Sequence, residues 1–357
     1  MKRFFNQLDP FLLIPSLGLA GISIFILASV GTNEFLAQSV FIIFGLLIYL
    51  IISTINYRIW SRFSVVFYLL TVFLLLILFF LPQIRGVHRW IDFGLFLLQP
   101  SEILKPILIV VFAYLISKRD LSRTGNLFFI NCLFLPILIL VFLQPDLGNT
   151  IVYAVFFLGM LLAGGISLSL VISGSILFTI LTPAFWTFLK SYQKQRILSF
   201  FNPAIDPAGS GYNAIQSMIA VGSGGLWGLG LGRGTQSKLF FLPEFQTDFI
   251  FATLVESLGF IGGIVLIFLY FFLLVRILSI VFSAEDQMGK LISIGIFLQI
   301  FIQVFINIGM NLGILPITGI TLPLVSSGGS SIISTFLSLG ILNAIGKSRR
   351  ENELVIR

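Results

Sequence analysis

The sequence predicts an all-α, polytopic integral membrane protein with about ten transmembrane helices and one long outer loop between spans seven and eight. Two features of composition and one of pattern carry that prediction. Of 357 residues, 57% are hydrophobic and only 10% are charged, where a soluble domain carries about 25% charged residues. Mean hydropathy is +1.08. Apolar runs of about 18–25 residues recur along the chain, each able to cross a ~30 Å hydrocarbon core. Residues 1–357 read as a single membrane domain, with 190–247 as its large extracytoplasmic loop.

The first run, Phe11–Val30, follows Met1, Lys2 and Arg3 in the manner of a signal peptide. It is too long for the apolar region of one and lacks a small-residue cleavage site, so it is expected to stay as the first helix. Leu36–Ile55, Phe63–Leu81, Ser101–Ser117, Leu127–Leu143, Gly148–Ala163 and Leu168–Leu189 follow. After the long loop come Phe249–Arg276, Leu291–Met310 and Ser330–Gly346. Pro15, Pro136 and Pro183 fall inside spans, where neighbouring helices and polar side chains can satisfy the backbone groups that proline frees. An even count places both termini on one side, with Arg58, Arg62, Lys118, Arg119, Arg123, Arg276, Lys290 and Lys347. That excess of basic residues marks the side as cytoplasmic.

Cys132 is the only cysteine and His88 the only histidine. An intrachain disulfide and a cysteine metal site are thereby excluded, and a histidine-based metal site or catalytic triad nearly so. The outer face carries Arg85, Arg89, Lys105, Lys190, Lys194, Arg196, Arg233 and Lys238, which the orientation bias disfavours. Singly, each is best read as balancing Asp92, Glu102, Asp146, Asp206, Glu244 or Asp248, or as snorkelling from a span end. As a group they favour a site for an anionic substrate at the outer leaflet. Within the long loop, Tyr212–Val221 has the pattern of a short amphipathic helix, and Gly222–Gly234 is rich in glycine. The glycine stretch matches neither phosphate-binding motif and follows no predicted strand, so it does not point to nucleotides.

Asp248 stands at the start of the eighth apolar run, after that polar loop. A carboxylate costs roughly 2.5–3.5 kcal/mol at the centre of a membrane helix, so one near the bilayer suggests a task. Two roles are open: a helix N-cap worth about 1 kcal/mol, or a general base. Glu256, eight residues on, counts as a buried partner or a second site carboxylate. Glu102 and Lys105, three apart, form either an internally neutral pair or the polar floor of an outer cavity. Asp146 in QPDLG is a structural cap; Gln303, Asn307 and Asn311 share one side of the ninth span, where amides make interhelical hydrogen bonds. Ser326–Ser331 opens the last span as a helix-start anion site or a close-packing segment.

The strings RGVHRWIDFG, QPSEILKP, QPDLGN, QRILSFFNPAIDPAGSGYNAIQS, GSGGLWGLGLGRGTQSKLFFLPEFQTDFIF and NIGMNLGILPITGITLPLVSSGGSS, in this order, resemble the SEDS (shape, elongation, division and sporulation) family of polytopic peptidoglycan glycosyltransferases. The GSGG and GTQS strings look more like the elongation (RodA) branch than the division (FtsW) branch. Two departures stand out: Ser257 follows Glu256 where the family usually has a second glutamate, and Ser327 replaces a usual tyrosine. The resemblance implies that Asp248 is catalytic. The reaction it implies polymerises lipid II on the outer face of the bacterial cytoplasmic (inner) membrane, for elongation and rod shape. Asp248 would take the proton of the acceptor 4-hydroxyl as it attacks the donor's anomeric carbon, inverting that centre. Lys105, Lys194, Arg196, Arg233 and Lys238 are the candidate partners of the leaving undecaprenyl diphosphate. A divalent cation, magnesium or manganese, is compatible with that task, although no preformed cage is visible. The implied partners are lipid II, the nascent glycan, membrane lipids, a class B penicillin-binding protein acting as transpeptidase and other elongation-complex proteins, with no nucleic acid. Two alternatives use the same features: a lipid II flippase, and a noncatalytic scaffold of the cell-wall complex.

Overall fold

The computed structural model describes residues 8–31, 34–84, 86–94, 96–189, 191–206 and 209–355. Lys2, Arg3, Arg85 and Lys190 lie outside them. Hydrocarbon offers no hydrogen-bond partner to a peptide group, so each apolar run closes its own backbone bonds as a helix. The outcome is α1 (Pro10–Val30), α2 (Glu34–Thr54), α3 (Tyr57–Trp60) and α4 (Ser64–Ile77). Then come α5 (Pro100–Ser117), α6 (Thr124–Leu143), α7 (Leu147–Ala163) and α8 (Leu168–Phe188). The chain continues through α9 (Ser191–Phe201), α10 (Ser210–Ser223) and α11 (Thr235–Lys238) to α12 (Ile250–Ser283), α13 (Gln287–Asn311) and α14 (Gly329–Val355). Single 3-10 turns flank α4, making Tyr57–Phe80 one continuous span.

Eight of these helices are long and apolar enough to cross a membrane by length and composition. The 17-residue α7 and the 21-residue α8 complete the ten expected segments. Their starts are set chemically. Asp9 accepts from Phe11 N ahead of Pro10, Asp146 from Asn149 N, and Asp286 from Gly289 N, each satisfying an N–H that the first turn leaves open. Gly31 closes α1 in the left-handed region at φ +82°, where a side chain is disfavoured.

α13 is the centre of the bundle, packed against α5, α7 and α12, while α14 runs along α2 and α5. Between α5, α6 and α7, Phe134 and Phe157 stack face to face, and Phe112 makes an edge contact with each. At one end, Asp9 accepts from Arg276 Nε at 2.8 Å, and Arg58 bridges Asp286 and Glu285 at 2.9 and 3.0 Å. These pairs lock α1, α3, α12 and the α12–α13 turn together at the end opposite Asp248.

The 190–247 connection is more ordered than a loop with one short helix. The expected Tyr212–Val221 helix extends over Ser210–Ser223, and Ser191–Phe201 is a second helix. A two-residue hairpin, β1 (Ile91–Asp92) with β2 (Leu97–Leu98), pairs Ile91 with Leu98 in the α4–α5 connection. Within α12, Gly259 sits at φ +71°, ψ −169°, so the helix is broken nine residues in. The break exposes peptide groups, and the glycine-rich segment supplies their partners. Leu229 N and Gly230 N donate to the carbonyls of Glu256 and Ser257, while Phe260 N donates to Gly225 O. A Cβ on Gly228 would sit 2.2 Å from Ser257 O, and one on Gly259 would sit 2.4 Å from Gly228 N. Gly224 and Gly228 of GSGGLWGLG are therefore needed for a backbone-to-backbone approach.

Candidate active site

Asp248 ends a tight turn that begins at Glu244, a non-glycine residue at φ +52°. Thr247 N and Phe249 N both donate to Glu244 O, at 3.1 and 3.2 Å, and Thr253 Oγ1 reaches Phe245 O at 3.0 Å. The segment is also held from behind: Ser326 Oγ donates to Thr247 O, and Ser327 N to Gln246 O. The N-cap position of α12 is Phe249, without a side-chain cap, so Asp248 does not serve as the helix cap. Its carbonyl oxygen accepts from Asn307 Nδ2 and Asn311 Nδ2, each at 3.0 Å.

The carboxylate is half-buried and lies beside Gly319, with Oδ2 3.4 Å and Arg196 Nη1 3.7 Å from where a Cβ on that glycine would stand. Burial pushes the Asp248 carboxyl up to about 6; the Glu244 charge adds to the rise, while Arg196 and Arg89 oppose it. Such a group is ionised at neutral pH yet basic enough to accept a proton.

Next to it opens a cavity of about 540 Å³. Thr247, the residue before Asp248, lines it together with Glu244, Phe245 and Gln246 of the same turn. The wall carries three carboxylates (Glu34, Glu102 and Glu244), the amides of Gln38, Gln99 and Gln246, several hydroxyls, and the rings of Phe41, Trp90 and Phe96. Among the described residues, no lysine or arginine lines it. Carboxylates and amides beside aromatic faces suit an uncharged polyhydroxy group.

Glu102 reaches this cavity and pairs with the fully buried Lys105 at 2.8 Å, so the neutral pair and the cavity floor are the same structure. Gln303, in the amide orientation that satisfies both groups, accepts from Lys105 Nζ at 2.9 Å. Asp146 caps α7 and accepts from Gln99 Nε2 at 2.7 Å, as a structural residue should.

The other expected site residues are placed differently. Glu256 is fully buried and accepts from Gln236 N, Ser237 N and Ser237 Oγ at 2.8, 3.1 and 2.7 Å. It anchors α11 and does not share the cavity with Asp248. Lys238 lies by Gly232 and Ser29 at the top of α1, and Arg233 packs on Gly230. Lys194, on α9, is not among the residues lining the cavity. Of the five proposed cations only Arg196 is brought to the carboxylate, because a helix turn fixes the direction of a charge that counting along a loop cannot. Glu34 belongs to the site although sequence reasoning gave it no role; Arg89 and Glu244 were read only as members of the outer-face charge group, not as neighbours of Asp248. The adjacency of Arg89 and Trp90 in RGVHRWIDFG was the available signal.

Fold and site together define a multi-pass membrane protein with one half-buried carboxylate next to the turn that lines a polar cavity. The profile of the FtsW/RodA/SpoVE cell cycle protein family matches residues 11–351, and the chain belongs to that family. Peptidoglycan glycosyltransferase MrdB of Escherichia coli K12 is 38% identical over 312 residues, covering 86% of this chain and 84% of its own. Stage V sporulation protein E of Bacillus subtilis is 38% identical over 328 residues, covering 88% and 87%. A chain from a study of how a peptidoglycan synthase complex coordinates polymerization and crosslinking superposes with a TM-score of 0.82, at 26% identity, covering 96% of this chain and 98% of its own. The rod shape determining protein RodA of Thermus thermophilus shares the fold with a TM-score of 0.73, at 24% identity over 96% of this chain and 97% of its own.

Proposed function

We propose that this chain is a peptidoglycan glycosyltransferase of the elongation type, joining lipid II units into glycan on the outer face of the cytoplasmic membrane. Asp248 is the general base. The observation that carries the mechanism is its half-buried carboxylate beside Arg196, directly after the turn 244–247 that lines the sugar-compatible cavity, with a pKa raised to about 6. The carboxylate takes the proton of the acceptor 4-hydroxyl. The freed oxygen attacks the donor's anomeric carbon, and undecaprenyl diphosphate leaves from the opposite face with inversion. Arg196 and Arg89 stand where negative charge develops on the departing diphosphate. The cavity's carboxylates repel that diphosphate, so sugar and leaving group separate to the two sides of Asp248.

Among the described residues, no three His, Cys, Asp or Glu side chains converge on a point that could hold a metal ion. Magnesium or manganese would instead be held by one or two carboxylates together with the substrate diphosphate. The similarity to a synthase-complex chain supports a transpeptidase partner of the penicillin-binding class. The basic end of the bundle supports cytoplasmic termini.

Purified protein incubated with labelled lipid II in detergent tests the reading. Glycan chains are expected. Transport of lipid II in liposomes without chains would instead indicate a flippase, and neither activity a scaffold.

A further inference from the structure

An α-helix closes each turn with an N–H donating to the carbonyl four residues back. In α12, Thr253 N donates to Phe249 O at 3.1 Å in this way. The bond one step earlier, Ala252 N to Asp248 O, is not made. Ala252 N donates instead to Asn311 Oδ1 at 3.0 Å, and Asp248 O accepts from Asn311 Nδ2 at 3.0 Å. A single carboxamide thus stands between the two halves of a helical hydrogen bond and satisfies both. Between them Phe249, at φ −109° and ψ 22°, has left the helical region.

We propose that Asn311 is a positioning residue for the reaction: its side chain wedges open the first turn of α12 and thereby holds Asp248 outside the helix, with its carboxylate turned toward Arg196. This rests on the reading of Asp248 as the base. A carboxamide is needed because the gap presents one donor and one acceptor. Its orientation is fixed, since exchanging O and N would set Nδ2 against the Ala252 N–H. The wedge is itself held rigidly: Asn311 is fully buried, its Nδ2 also donates to Asn307 O at 2.8 Å, and Ser217 Oγ donates to its carbonyl at 3.0 Å. Asn307 repeats the grip from one turn below, donating to Asp248 O at 3.0 Å and to Ile320 O at 2.7 Å. Without the wedge, Ala252 N can close on Asp248 O. The helix then gains residues at its start, and each residue drawn in turns its side chain by about 100°.

The test has two arms. In a Cys132→Ser background, the thiol of Asp248→Cys is titrated with a water-soluble maleimide, with and without Asn311→Leu. Labelling is expected to slow about tenfold as the thiol turns away from the cavity. Asn311→Ala, which fits the same space, carries this arm if the leucine variant does not fold. In the second arm, Asn311→Asp keeps the acceptor for Ala252 N but loses the donor to Asp248 O. Its kcat for lipid II polymerisation is expected to fall about a hundredfold with KM changed less than about threefold. Gln299→Leu, three four-residue steps deeper on α13, is expected to match the wild type in both arms. Unchanged labelling, unchanged kcat, or an equal loss in Gln299→Leu would overturn the wedge. If wild-type protein makes no glycan, the enzymatic reading falls, while the labelling arm still decides whether Asn311 sets the direction of residue 248.

Discussion

Asp248 combines burial, which disfavours its charge, with two guanidinium groups that restore it in part. Its titration therefore makes the catalytic reading testable. The base must be ionised, so polymerisation by the wild type is expected to fall about tenfold per pH unit below about 6, and to level off above it. Glu244→Gln removes a negative neighbour and should move that midpoint down; Arg196→Ala removes a positive one and should move it up while lowering kcat. A pH–rate profile of each variant checks both directions. The same shift has a stability consequence. The folded-state value lies above that of an unfolded aspartate, so the favourable contribution is present at low pH and lost as pH rises through about 6. Asp248→Asn, which cannot ionise, should melt higher than the wild type at pH 8, with the difference vanishing only below the ordinary carboxylate pKa, at about pH 3. The difference, reduced for partial exposure, is on the order of 1–2 kcal/mol.

At the scale of elements, the outer part of α12 is held by backbone contacts that its sequence announces only as glycine. Gly259→Ala would drive a Cβ to 2.4 Å from Leu226 O and Gly228 N at a φ of +71°, and folded protein is expected to be lost. Glu256→Ala leaves three donors of Gln236 and Ser237 without their acceptor. It should destabilise by about 2–4 kcal/mol, read as a lower melting temperature in detergent. A second catalytic carboxylate would instead lose activity with stability intact. The apolar helices were legible because hydrocarbon imposes one length and one secondary structure on every crossing; eight of the ten expected spans meet that length and hydropathy among the described residues. Asp248 was singled out because a charge at the edge of an apolar run is rare. Glu256 was misplaced by counting helical turns from Asp248, a residue that lies outside the helix. Helix α9 was missed because Gln193, Lys194, Gln195 and Arg196 read as polar loop, although a helix lying at an interface can carry such a face.

For the whole molecule, opposite ends of one bundle do different work. The end with Asp9, Arg58, Arg276, Glu285 and Asp286 is tied by ion pairs, and the other gathers the cavity, the hairpin and the three short helices. The proposed orientation puts the ion-paired end in the cytoplasm. In a Cys132→Ser background, Phe240→Cys should react with an impermeant thiol reagent on intact cells, and Arg62→Cys only after lysis. The reverse pattern would place the cavity on the wrong side for a substrate delivered to the outer leaflet. Cations beside Asp248 and carboxylates in the cavity wall give the site a polarity that the chain's overall excess of basic residues hides. The account as a whole depends on proton transfer to Asp248. The most direct test is the rate of glycan formation from labelled lipid II by purified, folded Asp248→Asn at pH 8, beside the wild type. A loss of about a thousandfold or more is predicted; chains formed at the wild-type rate would contradict the assignment.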